Sequence, residues 1–573
     1  MKYKHICMLN YFQDINIRQL FMSKKLVFVF IIMALVIIIF NLIGVLGLDF
    51  LINDDQVRYL YYTDHDFRWT GKARNFLVPI FQAIFHNILA FSPNLSRFMV
   101  LILLMIPTSW LFFILLNKYF NLPIFIAFII STLVPLLPNQ LMYPAFIDGS
   151  YVLAALLFYL FSLIYGLKYL NEQSSISIYL VSLLTFIIST MMSEIIIFLT
   201  APMCFLYLFA FNKRKKYLLV LTTCAVSLYK LVESIMNQHS ASKITNVAGN
   251  KVWNRVISSF EYINPFNIRV EVPFAIIYFS IILLVIIIGI YLSFKMPNYF
   301  QSKNSTFNIN SKYFAFFVLA FSIIWYLSTS LVFYFVSPYF SSRYFYIPAF
   351  GFILLFILSL YIILFKYLPK KNFLISIIFM AILLYSGINK TQNFKSYSSV
   401  LNRYSKRFKN ELNKYIIPLN SQIVIVGRSA IGTGGYWHWS SGFLRFLLKR
   451  DDINGIMHMH YNYYNPFNGI KGRTYKSKMT GINLEYPVLL FENDNSFNQK
   501  EFALLWENKK SKNSAWSIYK FNTLTGDASV FATGIGYKKY TGTIDSLKMA
   551  GINQEDILFG RIPNKKDSLR LGL

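Results

Sequence analysis

Charge is scarce in this 573-residue chain, and acid is scarcer than base: 14% of residues are charged, with 25 Asp and Glu against 55 Lys and Arg. The polar surface of a water-soluble enzyme of this length is missing. With 56% hydrophobic residues and a mean hydropathy of +0.48, the composition is that of a polytopic membrane protein. Cysteine is nearly absent too. Cys7 lies in the basic N-terminal tail while Cys204 and Cys224 fall in apolar runs, so no disulfide framework is available. The net charge of +30 does not point to nucleic acid, because no basic stripe with interleaved stacking aromatics stands clear of the apolar runs. In a membrane protein, Lys and Arg collect in cytoplasmic loops and near anionic lipid. An internal repeat is lacking as well, which argues against a transporter or flippase built from inverted halves.

What is present is a series of apolar runs separated by basic clusters. Val27 to Leu48 carries no charge and is long enough to cross roughly 30 Å of hydrocarbon as a helix. It is too long for a cleavable signal and lacks a small-residue cleavage site, so it stays as a span. Lys2, Lys4, Arg18, Lys24 and Lys25 put residues 1–25 in the cytoplasm as an N-terminal tail. Further spans are predicted at 98–116, 122–137, 151–170, 217–236, 274–292, 314–336, 345–364 and 373–388. Residues 176–211 are twice the length of one span and are split near Ser193-Glu194 into two. The total is about eleven crossings. Lys118, Lys168, Lys213-Arg214-Lys215-Lys216, Lys295 and Lys366 then all fall inside, and the C-terminus falls outside.

The expected organisation is a membrane module over residues 26–388, with a first outer loop at 49–96, followed by an extracytoplasmic α/β domain at 389–573. Residues 391–416 read as a basic amphipathic surface helix, with Phe394, Tyr397, Leu401 and Tyr404 on one face. Ile423 to Val426 and Pro487 to Phe491 read as buried strands. Phe502 to Trp506 and Ala515 to Phe521 read as a hairpin.

The candidate site lies on the outer side. Asp54 and Asp55 directly follow the first span, in Asn53-Asp54-Asp55-Gln56-Val57-Arg58-Tyr59. An acidic pair at a helix exit can simply stop the helix in water. The stretch after it, from Tyr61 through Asp64, His65, Asp66 and Arg68 to Arg74, is too dense in acids, bases and aromatics for a plain turn. Asn75 to Ala90, with Phe76, Ile80, Ile84 and Ile88 four apart, reads as an interfacial amphipathic helix carrying His86, either a polar-face residue or a pocket residue. A charge at mid-bilayer costs roughly 2.5 to 3.5 kcal/mol, so Glu194, Lys230 and Glu233 ask for partners or a job. Lys230 and Glu233, three apart on one helix, can neutralise each other or line a substrate pocket. Arg343-Tyr344 opens a later span on the outer side, where Arg343 can snorkel or grip a lipid phosphate with its planar fork.

Acids and an arginine at the outer lipid boundary suit glycosyl transfer from a polyprenyl-phosphate sugar. The leaving phosphate needs no strong acid; the reaction needs a base for the acceptor hydroxyl and cations for the phosphate. These features together resemble the GT-C superfamily of integral-membrane glycosyltransferases: the outward acidic pair after the first span, the amphipathic first loop, the mid-bundle acid, the late Ser342-Arg343-Tyr344 and the C-terminal outer domain. The chain is most similar to bacterial enzymes that modify surface polysaccharide, such as serotype-converting O-antigen glucosyltransferases, and more distantly to aminoarabinose and protein mannosyl transferases. The resemblance covers the layout of the membrane part through short motifs. It implies Asp54 or Asp55 as catalytic base, Glu194 shaping the sugar or acceptor pocket, and Arg343 on the lipid phosphate with Tyr344 beside it. Arg58 and Arg74 would be further phosphate ligands. It leaves a divalent metal at the acidic site open. It implies a polyprenyl-phosphate-linked donor, a glycan acceptor, a partner flippase and a donor synthase, in a bacterial inner membrane.

Three other patterns carry less. Gly432, Gly434 and Gly435 after a strand lack the full dinucleotide or P-loop spacing. His458-Met459-His460 lacks a located third metal ligand. Trp437-His438-Trp439 reads as buried aromatics or a sugar-stacking surface. The rival function is an O-antigen polymerase, which would change chain length and add no branch.

Overall fold

The computed structural model describes residues 24–46, 93–140, 149–171, 175–210, 212–236, 249–266, 272–295, 307, 309–310, 313–335, 345–369, 371–412, 422–426, 437–458, 488–492, 515–522 and 527–535. The chain forms two compact units. One is Met1–Ile43, Phe98–Pro144 and Gly149–Phe394; the other is Gly44–Arg97, Ala145–Asp148 and Lys395–Leu573.

The first unit is helical. In chain order it holds α1 (Lys24–Leu46), α2 (Pro93–Tyr119), α3 (Ile124–Leu136), α4 (Ser150–Asn171), α5 (Ile176–Met192), α6 (Glu194–Leu208), α7 (Lys213–Met236), α8 (Gly249–Ile263), α9 (Val272–Lys295), α10 (Phe314–Phe335), α11 (Tyr346–Tyr367) and the first part of α12 (Asn372–Leu412). Seven of these, α1, α2, α4, α9, α10, α11 and α12, are long and apolar enough to cross a membrane. The chain is therefore a multi-pass helical membrane protein. The expectation of about eleven crossings exceeds that number for local reasons. α3 tightens into a 3-10 turn at Val134-Pro135-Leu136 after ten α-helical residues. α5 is interrupted at Ser193 after 17 residues, and α7 dilutes its apolar stretch with Lys213–Lys216, Lys230 and Glu233. α12 runs unbroken for 41 residues from Asn372 to Leu412, joining the span expected at 373–388 to the amphipathic helix expected at 391–416.

The unit is apolar outside and small-polar between helices. Phe28, Ile31, Leu35 and Ile39 of α1 are exposed, as are Ile176, Leu180 and Leu184 of α5, and these apolar stripes suit lipid. Hydroxyls join the helices instead: Ser162 donates to the Ser182 carbonyl at 2.7 Å, Ser182 returns a bond to the Ser162 carbonyl at 2.8 Å, and Ser189 donates to Ala155 at 2.6 Å. The aromatic centre is Trp325 of α10, fully buried, its indole N–H donating to the Ile347 carbonyl at 2.9 Å and its ring meeting Phe112, Tyr159, Phe321 and Phe350. Buried Lys390 of α12 donates to the Pro135 carbonyl at the end of α3, while Ser386 and Asn393 donate to Leu136 and Pro138. A lysine and two other polar side chains thus satisfy carbonyls at and just past the end of α3.

In the second unit, β1 (Gln422–Val426) lies between β2 (Asn454–His458) and β3 (Val488–Glu492), parallel to both. α13 (Trp437–Leu448) joins β1 to β2, the crossover that parallel strands require. It ends with Lys449 in the left-handed region at φ 56°, and buried Arg445 donates to the Ile453 carbonyl at 2.7 Å. Burial, with Lys409 nearby, pulls the Lys449 ammonium pKa below its ordinary value. β4 (Ala515–Asn522) pairs antiparallel with β5 (Asp527–Ile535), the strand that follows it, whereas the sequence suggested a hairpin with residues 502–506, which lie outside the described residues.

Candidate functional site

The helix register decides which charges share an end of the first unit. α5 runs antiparallel to α4, since Ser189 meets Ala155, Ser182 meets Ser162 and the Tyr179 ring meets Tyr169. α6 runs back parallel to α4: the Tyr159 hydroxyl donates to the Leu199 carbonyl at 3.1 Å, and Tyr207 packs against Gly166. The chain therefore reverses between Met192 and Leu199. Ser193 makes the break with an extended backbone at φ −151° and ψ 128°, and Glu194 opens the six-residue 3-10 turn that follows. Glu194 is exposed there.

α7 is antiparallel to α6. Thr200 and Ser227 share a hydrogen bond, the Cys204 and Cys224 sulfurs approach to 3.6 Å, and Lys216 donates to the Leu208 carbonyl at 2.8 Å. Continuing past Ser227, α7 carries Lys230 and Glu233 to the same end as Glu194. The two are joined as an ion pair of 2.5 Å, with the Lys230 side chain 10% exposed and that of Glu233 36%. Lys215 and Lys168 lie at the opposite end: Lys215 donates to the Tyr169 carbonyl at 3.2 Å and lies over the Tyr169 ring, beside Lys168. α2 reaches that end with Lys118, its Tyr119 hydroxyl donating to Ile164. α9 reaches it with Lys295, Phe294 stacking on Phe316 at the start of α10.

At the end that carries Glu194, α10 finishes and α8 covers it. Arg255 donates to the Phe333 carbonyl at 2.9 Å and the Tyr334 carbonyl at 3.4 Å, Ser259 and the Tyr334 hydroxyl are 2.7 Å apart, and the Tyr334 and Tyr326 hydroxyls are also 2.7 Å apart. Gln140 donates to the Tyr262 carbonyl at 3.1 Å, and the Tyr262 ring meets Phe345. No span is expected from sequence between residues 237 and 273, and Arg255 is not among the candidates read there. Val252, Val256, Phe260 and Ile263, four or three apart, are the amphipathic signal that would have found it.

Asp54, Asp55, Arg58, Arg74, His86, Arg343 and Tyr344 lie outside the described residues, as do the interfacial helix expected at 75–90 and the glycine-rich stretch 427–435. Trp437-His438-Trp439 opens α13, and His458 ends β2. Among the described residues no group of three or more His, Cys, Asp or Glu could hold a metal ion.

No protein-family model and no curated protein matches the chain. Among solved structures, it is similar to ArnT from Cupriavidus metallidurans bound to undecaprenyl phosphate, with a TM-score of 0.42 and 10% identity over 90% of this chain and 98% of that one. At that level the site rests on this chain's own residues.

The ion pair separates two roles for Lys230 and Glu233. If the two only neutralise each other in an apolar setting, removing one leaves an uncompensated charge, whereas replacing both with apolar residues of similar volume is close to neutral. Glu233→Leu alone should therefore lower the thermal midpoint in detergent, and Lys230→Met with Glu233→Leu should restore it. If the double variant is stable but loses activity, the pair belongs to a functional pocket.

Proposed function

We propose that this chain is a polyprenyl-phosphate-sugar-dependent glycosyltransferase that adds a hexose to a cell-surface glycan such as O-antigen, on the outer face of the bacterial inner membrane. The observation that carries the reading is the placement of the acids along the helical unit. Glu194, the Lys230–Glu233 pair and Arg255 share one end, while Lys118, Lys168, Lys215 and Lys295 share the other. With basic ends in the cytoplasm, the acid-bearing end faces outward. α1 runs toward that outer end, since Phe30 meets Trp110 while Phe40 lies against Gly387. Asp54 and Asp55 follow α1 in sequence.

In this reading the acceptor hydroxyl attacks the anomeric carbon, the bond from that carbon to the lipid phosphate breaks, and the hydroxyl proton passes to Asp54 or Asp55. One displacement inverts the anomeric configuration. Arg343, with Arg58 and Arg74, balances the charge on the departing phosphate. Glu194 borders the pocket from the break between α5 and α6.

Mass spectrometry of surface glycans from cells with and without the gene tests this. The expected result is one additional hexose mass per repeat only in cells carrying it. Shorter polymers with unchanged repeat mass on deletion would replace the reading with a polymerase, and unchanged glycans would remove it.

A further inference from the structure

Two of the three cysteines, distant in sequence and on different helices, come together in the middle of the α6–α7 pair. Cys204 is half-buried and Cys224 exposed, and their sulfurs lie 3.6 Å apart, between the Thr200–Ser227 hydrogen bond and the Lys216–Leu208 bond. A disulfide needs an S–S length of about 2.05 Å and closely placed β-carbons. The two cross-helix hydrogen bonds hold the helices in register on either side of the sulfurs, which must approach by about 1.5 Å to bond.

The surroundings select the reagent. Cys224 lies on a face of α7 whose neighbours Leu221 and Leu228 are 68% and 62% exposed, a surface suited to hydrocarbon. A water-borne oxidant is excluded from such a surface, whereas a lipid-soluble one partitions to it.

We infer that Cys204 and Cys224 form a reversible dithiol–disulfide site within the membrane, oxidised by a quinone-class, lipid-soluble two-electron acceptor. Two thiols and one quinone give one disulfide and one quinol; both thiol hydrogens and two electrons pass to the quinone, so the step balances. The bond closes a loop containing the Lys213–Lys216 turn and ties α6 to α7. Because Glu194 begins α6 and Lys230 and Glu233 end α7, oxidation stiffens the segment that carries them. The site stands independently of the glycosyl-transfer reading.

The test uses the full chain in lipid vesicles, with Cys7 replaced by Ser so that only these two thiols remain. The protein is exposed to a short-chain quinone, unfolded in detergent and labelled with a maleimide-polyethylene glycol that retards it on a gel. The expected result is loss of both mass shifts after oxidation, their return with dithiothreitol, and a peptide joining Cys204 to Cys224 by mass spectrometry. Hydrogen exchange should slow across residues 200–228 of the oxidised protein and stay unchanged in Cys224→Ser treated the same way. Full labelling after quinone treatment, or disulfides only between separate molecules, would overturn the inference. The joined-peptide measurement uses the native cysteine pair, so it stands even if the Ser variant folds poorly.

Discussion

In the proposed reaction, replacing both Asp54 and Asp55 by Asn should lower sugar transfer by about a thousandfold, within the 10² to 10⁴ that a positioned general base contributes. The chemistry of the donor sets this expectation. A polyprenyl phosphate leaves as a stabilised anion, so the demanding proton transfer is the one away from the acceptor hydroxyl, and an amide cannot accept it. Asn keeps the size and much of the hydrogen bonding of Asp, so the amount of protein in the membrane should not change. Transfer measured with purified protein, lipid-phosphate donor and acceptor separates the two acids: the single variant that reproduces the full loss identifies the base. Wild-type rates in both single variants and the double variant would remove the acidic pair from the mechanism. Unaltered rates together with unaltered surface glycans in deleted cells would remove the enzyme reading itself.

Gly351→Leu should abolish stable folding of the helical unit. A β-carbon at Gly351 would stand 2.7 Å from the Tyr326 backbone nitrogen, 2.9 Å from the Ser322 carbonyl oxygen and 2.9 Å from Cδ1 of Trp325. Two of these are backbone atoms of α10, which no rotamer change can move aside. α10 and α11 would have to separate, opening the indole bond from Trp325 to Ile347 and the ring contacts of Trp325 with Phe112, Tyr159 and Phe350. Overpacking a dense core costs about 1 to 3 kcal/mol where the surroundings can shift. A leucine against fixed backbone should exceed that range, a large share of a stability of roughly 5 to 15 kcal/mol. The checks are the amount of monodisperse protein in detergent and its thermal midpoint. Gly387→Ala is the comparison: there the nearest atoms belong to the ring of Phe40, 2.8 Å away, a side chain that can tilt. It should cost far less, and wild-type stability of Gly351→Leu would overturn the argument.

Where the helices lie was legible in the chain. Each expected apolar run overlaps a helix, and the division of residues 176–211 falls where Ser193 breaks the backbone. Hydropathy and helical period are local properties, and a bilayer rewards them segment by segment. Among the described residues seven helices are long and apolar enough to cross alone, and α3, α5 and α6 are apolar but shorter. The Lys230–Glu233 pair was also foreseeable, because residues three apart on a helix are neighbours whatever surrounds them.

Which helix faces which neighbour had to come from the folded chain. Lipid is as apolar as a leucine side chain, so the hydrophobic pattern says little about partners, and small residues and hydroxyls settle the pairing. That is how Arg255 comes to hold the end of α10, how Lys390 comes to cap α3 and how Cys204 comes to meet Cys224. By itself the sequence determined a basic, multi-pass helical chain and the positions of its few acids along it. The order of the apolar runs and basic clusters already placed Glu194, Lys230 and Glu233 on one side; only the tertiary structure, through interhelical hydrogen bonds, decided that Arg255 joins them at the end of α10 and that Lys390 meets the end of α3.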